Sequence, residues 1–411
     1  MILGLTGSFG SGCSTIRDYL STDEGFAPIS LSNVVRKEVT KTMGAGWLEA
    51  QSKQATRQIL QDKGDELRKS NPYYLVDSIL DDIDKSEDSD VVVDSIRNDK
   101  EVERLRQRFP GFWLLAVDAF RETRWTRCKN DYDGNQAQFD QDDIRDIGEE
   151  EPPYGQKVRD CVHLADIVIF NNSQCNHKSE WNELFSKIAD YLQLIHEPGF
   201  RRPFPSESFM TQAYVASLSS SCTRRQVGAV VVSMSNSEIV SSGFNDVPSG
   251  QPKCRDLGGD GYCYRHDMIR LGLQRMKFCP QCGNNIAVDS KAETRWICPI
   301  CKLKLLDGYM PGRMLDLCRA LHAEEDAILQ AAKLGSVSLK SCILYTTTFP
   351  CPLCAKMIVD VGIRKIVYVE PYPMPQAIEI LQKAQPSAVE MEKYEGVQGR
   401  AFYKLFKPAK M

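Results

Sequence analysis

Two short motifs in the second half of the chain constrain its fold more than any other feature. His322-Ala323-Glu324 opens a helical stretch, and Pro350-Cys351-Pro352-Leu353-Cys354 follows an apolar strand. One imidazole and two thiolates supply three zinc ligands and leave a fourth tetrahedral position for water, as in catalytic zinc sites. Such a zinc lowers the pKa of its water to about 7, so the water becomes a nucleophile at neutral pH. The fold must therefore bring the start of a helix next to the end of a strand.

Glu324 is predicted to transfer protons and not to bind the metal. It lies two residues after His322, about 200° around a helix, so both side chains are not expected to reach one ion from the same face. A carboxylate beside the metal can carry a proton from water to a ring nitrogen and to a leaving group. The alternative is a core histidine beside buried thiols or a structural zinc. H-x-E combined with P-C-x-x-C is the established signature of zinc-dependent deaminases, which favours the catalytic interpretation.

Four stretches in matching order resemble the deoxycytidylate deaminase family over roughly Phe209 to Pro371; they are residues 221–230, 242–250, 322–329 and 350–363. The resemblance implies a cytidine deaminase-like α/β/α domain. It also implies that Asn245 contacts the nucleotide, that Ala323 packs beneath the base, and that Asp246 stands where the family often has Gly. Free-nucleoside deaminases usually carry Cys in place of His322, so the histidine points to a nucleotide, tRNA or polynucleotide substrate.

The net charge and the hydropathy of the chain narrow the possible substrates and the location of the protein. The chain has 51 basic and 55 acidic side chains and a net charge of -4, which supplies no broad positive surface for a polynucleotide. Mononucleotide substrates are therefore favoured. The N-terminal apolar run ends at Thr6, and no stretch of about 18 apolar residues follows, so neither a signal peptide nor a membrane-spanning helix is predicted. We expect a cytoplasmic protein without a membrane partner.

The remaining cysteines indicate a second metal. Cys279-x2-Cys282 and Cys298-x2-Cys301 have the spacing of a four-cysteine zinc ribbon, inserted at about residues 276–306. Such closed sites are structural by default, with nucleic-acid binding through nearby lysines as the alternative. In some deoxycytidylate deaminases, cysteines at the positions of Cys222 and Cys254 help to bind a further zinc. Cys222, Cys254, Cys263 and His266 either bind a further metal ion or are buried side chains without a metal, and the sequence leaves both interpretations open.

A chain of 411 residues is too long for one compact core, and its pattern predicts two α/β domains. Residues 1–195 alternate buried parallel strands with helices, as in a doubly wound domain. The proline-containing stretch 196–208 is predicted to be a linker, and residues 209–411 form the deaminase-like domain. Within that domain we expect one long helix from Met314 to Lys333.

The N-terminal domain carries a glycine-rich loop between a strand and a helix. It matches the P-loop pattern G-x-x-x-x-G-K-[ST], except that Cys13 occupies the lysine position; the candidate nucleotide-binding residues are Gly7, Gly12, Cys13, Ser14 and Thr15. Ser14 is also a candidate ligand of Mg²⁺. Val91 to Asp94, the arginines 121, 124 and 127 and residues 165–172 resemble small-metabolite P-loop kinases. Without the lysine we expect a nucleotide-binding regulator; the alternatives are an inert scaffold and an active kinase.

A P-loop kinase-like domain joined to a deoxycytidylate deaminase-like domain resembles the bacterial antiphage deoxycytidine nucleotide deaminases. The resemblance implies an enzyme that is silent before infection and then deaminates dCTP and dCMP. It further implies assembly into a homo-oligomer, a regulatory nucleotide or other ligand at the N-terminal domain, and an inhibitory RNA or another silencer. The alternatives are a housekeeping dCMP deaminase with allosteric control, an RNA or DNA deaminase, and a non-catalytic nucleotide sensor.

Overall fold

The computed structural model describes residues 1–44, 46–47, 53–86, 90–148, 151–173, 178–268, 278–279, 282–284, 317–335, 338–369 and 374–407. The chain divides into two compact units. Unit 1 comprises Met1–Thr211, Val369–Pro373 and Lys393–Met411, and unit 2 comprises Gln212–Tyr368 and Met374–Glu392. None of the described helices combines the length and the apolarity needed to cross a bilayer.

Unit 1 is built on a sheet that is parallel except at one edge strand. Its strands are β1 Ile2–Thr6, β2 Ala27–Ser30, β3 Val91–Ile96, β4 Phe112–Asp118, β5 Ile167–Phe170 and β11 Gly396–Val397. The helices in the first segment of unit 1 are α1 Cys13–Thr22, α2 Leu31–Met43, α3 Lys53–Ser70, α4 Tyr74–Asp77, α5 Leu80–Asp84, α6 Asp99–Arg108, α7 Arg121–Cys128, α8 Gln136–Ile147, α9 Val158–Leu164 and α10 Lys178–His196. A 3₁₀ turn covers Lys129–Tyr132. Helix α16, Gly399–Phe406, follows β11.

The strand order of this sheet is β11-β5-β4-β1-β3-β2. The pairs β1–β3, β1–β4, β2–β3 and β4–β5 are all parallel, which confirms the predicted buried parallel strands. Leu3, Leu5, Val92 and Val117 are at most 2% exposed and form one core with α1 and α10 residues. Burial on both faces explains why these strands are continuous apolar runs in the sequence.

The C-terminal segment closes the edge of this sheet. Gly396 and Val397 pair antiparallel with Val168 and Ile167 of β5. The sequence analysis grouped residues after 393 with the second domain, whereas they pack within unit 1. Helix α11, Pro205–Ser217, begins inside the segment that was interpreted as linker. Before it, the Arg201 guanidinium donates to both carboxylate oxygens of the buried Glu207, at 2.8 and 3.0 Å.

Unit 2 contains a mixed sheet in the order β10-β9-β8-β6-β7. Its strands are β6 Gly228–Ser233, β7 Ile239–Phe244, β8 Cys342–Thr346, β9 Lys365–Tyr368 and β10 Glu390–Lys393; its helices after α11 are α12 Cys254–Gly258, α13 Ala323–Leu334, α14 Pro352–Val361 and α15 Pro375–Gln382, with a 3₁₀ turn over Leu339–Ser341. β6 pairs antiparallel with both β7 and β8, and β8 pairs parallel with β9. The apolar strand predicted before Pro350 is confirmed as β8.

Helix α13 packs unusually closely on β7. A Cβ atom at Gly243 would lie 2.2 Å from the amide nitrogen of Ala327 and 2.5 Å from the carbonyl oxygen of Ala323, so only glycine permits this approach. The long helix predicted from Met314 was wrong at its start, because residues 317–322 are not α-helical and α13 begins at Ala323; residues 314–316 lie outside the described ones. The shorter helix places His322 at its N-cap.

Candidate active site

Three predicted metal ligands converge where two helices begin. His322 is the N-cap of α13, Cys351 is the N-cap of α14, and Cys354 lies in the first turn of α14. The Nδ1 atom of His322 is 3.2 Å from Sγ of Cys351 and 3.3 Å from Sγ of Cys354. All three donor atoms lie within 4.8 Å of one another. One nitrogen and two sulfurs at this separation surround a single point and fit zinc, which prefers such ligands in tetrahedral geometry.

The electrostatics of the cluster favour a thiolate. The Cys354 thiol donates to the sulfur of Cys351, and together with His322 it lowers the pKa of Cys351 to about 4, against the effect of burial. Hydrogen bonding to Cys351 raises the pKa of His322. The hydrogen bond to Cys351, together with burial, raises the pKa of the Cys354 thiol well above its ordinary value. The site therefore concentrates the negative charge that a divalent cation would neutralise.

Glu324 lies beside the cluster and is only 3% exposed. The hydroxyl of Thr346, at the end of β8, donates to its Oε1 at 3.1 Å. Burial raises the pKa of Glu324, while the neighbouring His322 and the Thr346 hydroxyl oppose that shift. This environment keeps the carboxyl group away from bulk water and close to the metal ligands, as proton transfer requires. The sequence analysis did not identify Thr346, because a threonine that ends a strand carries no distinctive signal.

The two acidic residues after Glu324 have structural roles. Oε2 of Glu325 accepts a hydrogen bond of 3.3 Å from the backbone N–H of His322 and so caps α13. Oδ2 of Asp326 accepts from the N–H of Phe244 at 3.2 Å, which ties the end of β7 to the helix. Three consecutive carboxylates thus divide into one beside the metal ligands and two that fix the helix.

Asn245 and Asp246 shape the loop after β7. The Asn245 side chain accepts from the N–H of Val227 at 2.7 Å and donates to the carbonyl of Arg225 at 2.9 Å. Its predicted contact with substrate stays a prediction. Asp246 accepts a hydrogen bond from the Ser221 hydroxyl, and its carbonyl oxygen accepts from the N–H of Leu321 at 2.9 Å. The loop is therefore connected to the residue that precedes His322.

A small cavity of about 30 Å³ lies next to this loop. Four cysteines line it together with other residues: Cys222, Cys254, Cys263 and Cys318. Cys318 was not singled out from the sequence. His266 is exposed, and partial desolvation, together with the charges of Arg224 and Arg265, lowers its pKa to about 4. The choice between a further metal site and buried thiols stays open.

Half of the predicted zinc ribbon can be described. Cys279 and Cys282 belong to a tight turn in which the N–H of Gly283 donates to the carbonyl of Cys279 at 2.9 Å and Gly283 has a φ of 67°. Cys298 and Cys301 lie outside the described residues, so the four-cysteine site stays a prediction.

The glycine-rich loop lies between β1 and α1, as predicted. Gly12 is the N-cap of α1 with a φ of 112°, and a Cβ atom there would lie 2.3 Å from Nδ2 of Asn171. Arg127 donates to the loop carbonyls of Gly10 at 2.8 Å and Ser11 at 3.1 Å. Burial raises the pKa of the Cys13 thiol to about 11, so the lysine position carries a neutral group. Gly7, Ser14 and Thr15 complete the loop; their role in nucleotide binding stays a prediction.

Comparisons with known proteins relate the His-Cys-Cys site to the cytidine and deoxycytidylate deaminases. Residues 205–370 match the cytidine and deoxycytidylate deaminase zinc-binding region. The deoxycytidylate deaminase of enterobacteria phage T4 is 31% identical over 168 residues, which cover 39% of this chain and 75% of the phage protein. That of Schizosaccharomyces pombe is 28% identical over 233 residues, 56% of this chain. A crystal structure of the dCMP deaminase from cyanophage S-TIM5 in complex with dCMP and dUMP shares 26% identity over 47% of this chain and 100% of that chain, with a TM-score of 0.29.

The His-Cys-Cys cluster of unit 2 therefore lies within the zinc-binding region that cytidine and deoxycytidylate deaminases share. More narrowly, the chain belongs to the deoxycytidylate deaminase family. The match to the Schizosaccharomyces pombe relative spans 54% of that protein's length.

Proposed function

We propose that this protein hydrolytically deaminates a deoxycytidine nucleotide at C4 and releases the deoxyuridine nucleotide and ammonia. The observation that carries the proposal is the convergence of His322 Nδ1 and the sulfurs of Cys351 and Cys354 beside the buried carboxyl group of Glu324. When bound to these three ligands, zinc supplies a Lewis acid that makes water nucleophilic near neutral pH.

The residues of the chain supply the proton transfers. Glu324 takes a proton from the attacking water and delivers it to the ring nitrogen N3, and it then protonates the departing amino group. Thr346 holds Oε1 of Glu324 through a hydrogen bond of 3.1 Å, which directs the carboxyl group during both steps. The proton for the amino group comes from the hydroxyl group on C4, so the water oxygen remains as the C4 carbonyl, N3 keeps one proton and the amino group leaves as ammonia. The atoms therefore balance without a further reactant.

The proposed substrates are dCTP and dCMP. The name of the phage T4 relative, deoxycytidylate deaminase, supports a deoxycytidine nucleotide, and the net charge of -4 disfavours a polynucleotide. Among the described residues the Asn245 side-chain amide donates one hydrogen, to the carbonyl of Arg225, and the proposed acceptor of its other hydrogen is a nucleotide. In the proposed role the enzyme depletes dCTP during phage infection. The alternative is a housekeeping, allosterically regulated dCMP deaminase, and an RNA or DNA cytidine deaminase is the third candidate.

For the N-terminal region we propose a P-loop kinase-like domain over residues 1–195 that binds a nucleotide without efficient phosphoryl transfer. The parallel sheet and the loop before α1 support it, and the neutral Cys13 thiol in the lysine position argues against kinase chemistry. The linker at 196–208 and the deaminase-like domain at 209–411 complete the proposed organisation, except that helix α11 begins at Pro205 and the residues from Lys393 pack in unit 1. Within this proposal Ser14 is the candidate Mg²⁺ ligand, the regulatory signal is a nucleotide or an inhibitory RNA, and the subunits form a homo-oligomer.

The test uses the purified full-length protein and an equimolar mixture of cytidine and deoxycytidine mono-, di- and triphosphates. Products are separated by chromatography and identified by mass. We expect dUTP or dUMP to form first, while the ribonucleotides persist. Conversion of cytidine nucleotides at the same rate, or of a cytidine-containing oligonucleotide in preference to any mononucleotide, would contradict the proposed substrate class.

A further inference from the structure

A carboxylate of the protein itself, that of Asp146, binds to one end of the glycine-rich loop. The N–H of Phe9 donates to Oδ2 of Asp146 at 3.2 Å, and the guanidinium of Arg97 donates to Oδ1 of Asp146 at 2.5 Å. Asp146 lies near the end of α8 and is fully buried. A loop N–H and an arginine are the groups that a phosphoryl oxygen would engage. In this structure a carboxylate engages them instead.

The other end of the loop is open. The N–H groups of Cys13, Ser14 and Thr15 begin α1, and none of them donates to another residue in the described part of the chain. Such groups give the start of a helix a partial positive charge that favours an anion. Ser14 is exposed, so a ligand in solvent can reach this end.

A buried carboxylate nearby also lacks part of its hydrogen bonding. Asp94, which lies in β3 next to β1, is 3% exposed; one oxygen accepts from Arg17 at 2.7 Å, and Oδ1 has no partner among the described residues. The charges of Arg97, Asp94 and Asp146 all act on the Cys13 thiol, so these three side chains lie near the start of α1. An unsatisfied buried oxygen costs stability until a hydroxyl donor or a cation satisfies it. Arg17, which donates to the other oxygen, belongs to α1, so Asp94 lies beside the helix that follows the loop. A hydroxyl group or a cation of a ligand bound there would satisfy Oδ1.

We propose that Asp146 competes with the terminal phosphoryl group of a bound polyphosphate, so that the loop binds a single phosphate directly and a triphosphate only after Asp146 leaves Phe9 and Arg97. The inference rests on the proposed nucleotide-binding role of the N-terminal unit. A phosphate at the open end is stabilised by the N–H groups of α1. A longer phosphate chain reaches toward Phe9, where the buried carboxylate repels it and withholds the guanidinium.

Displacing Asp146 also disturbs its helix. Phe139 of α8 packs edge-to-face on Phe9 at 5.0 Å between ring centroids. The guanidinium of Arg124 donates to both oxygens of Asp143, at 2.6 and 3.0 Å. These contacts hold α8 through Phe139 and Asp143 and do not involve Asp146. We therefore expect the loss of the Asp146 contacts to loosen the last turn of α8 and to leave its earlier turns in place. Triphosphate binding would thus change the structure around the loop, and monophosphate binding would not.

The test measures the binding of inorganic phosphate and inorganic tripolyphosphate to the full-length protein by calorimetry. Asp146→Asn removes the charge and keeps a hydrogen-bond acceptor for Phe9. Asp140→Asn, on the same helix and paired with Arg121, is the matched control. We expect Asp146→Asn to raise the affinity for tripolyphosphate by at least about tenfold and to change that for phosphate much less, with Asp140→Asn behaving as wild type. Equal affinities for tripolyphosphate in all three proteins would overturn the proposal.

A second variant separates this inference from the nucleotide-binding proposal. Ser14→Glu places a carboxylate at the exposed open end, so binding that belongs to the loop must be lost in it. If Ser14→Glu abolishes anion binding but Asp146→Asn changes nothing, only the role of Asp146 is wrong. If no anion binding depends on Ser14, the nucleotide-binding role itself fails. Hydrogen exchange of wild type provides a check that needs no variant: bound tripolyphosphate should speed exchange at the end of α8, and unchanged exchange would contradict displacement.

Discussion

The hydroxyl of Thr346 donates a hydrogen bond of 3.1 Å to Oε1 of Glu324, and both side chains are buried. This bond joins the end of β8 to the first turn of α13 at the point where the zinc ligands meet. A buried carboxyl group that one hydroxyl orients has few rotational alternatives, which suits a group that moves protons between fixed positions.

Thr346→Val tests this orientation. Valine keeps the volume and removes the hydroxyl, so Glu324 loses a hydrogen bond of the charged type, which contributes about 1.5 to 3 kcal/mol. We expect kcat to fall by about one order of magnitude or more, with little change in KM and with the zinc content preserved. Thr346→Ser retains the hydroxyl and is expected to recover most of the activity. Equal kcat for the valine and serine variants would contradict a positioning role for this hydroxyl.

Gly243→Ala tests the close packing of α13 on β7. The added Cβ would lie 2.2 Å from the backbone nitrogen of Ala327, and backbone cannot yield as a flexible side chain can. We expect a loss of about 1 to 3 kcal/mol of stability, with a lower Tm and weaker zinc retention, because α13 carries His322 at its start. Gly111→Ala is the control, since nothing lies within 4 Å of the Cβ position there. A Tm equal to that of the control would show that α13 tolerates displacement.

Cys279→Ser tests the structural role of the predicted ribbon. A closed four-cysteine zinc site contributes metal affinity on the order of 10 kcal/mol to the local fold. We expect the variant to lose about one zinc ion per chain and to unfold at lower temperature, while the folded fraction keeps its rate per remaining zinc. Elemental analysis and thermal unfolding measure the two effects. An unchanged Tm together with altered substrate choice would instead assign the ribbon to substrate binding.

Short sequence patterns made the metal ligands and the strands of unit 1 predictable. His322, Cys351 and Cys354 belong to spaced motifs, and strands buried on both faces are long apolar runs. The pairing of Gly396 with Val168 was not predictable, because a two-residue strand has no periodicity and its partner is distant in the sequence. The H-x-E motif indicated a helix start at His322, whereas the helix predicted from Met314 was wrong because helical periodicity continues upstream and the actual boundary depends on the cap that Glu325 provides to His322.

The most direct test of the account compares wild type with Glu324→Gln on dCMP and dCTP, with zinc content measured on the same samples. Glutamine keeps the shape of the side chain but cannot exchange a proton as a carboxylate does. Asp360→Asn, exposed on α14, is the matched control. The account predicts that Glu324→Gln retains its zinc and loses about 10²- to 10⁴-fold in the rate of ammonia release, while the control matches wild type. Near wild-type turnover by a zinc-loaded Glu324→Gln protein would contradict it.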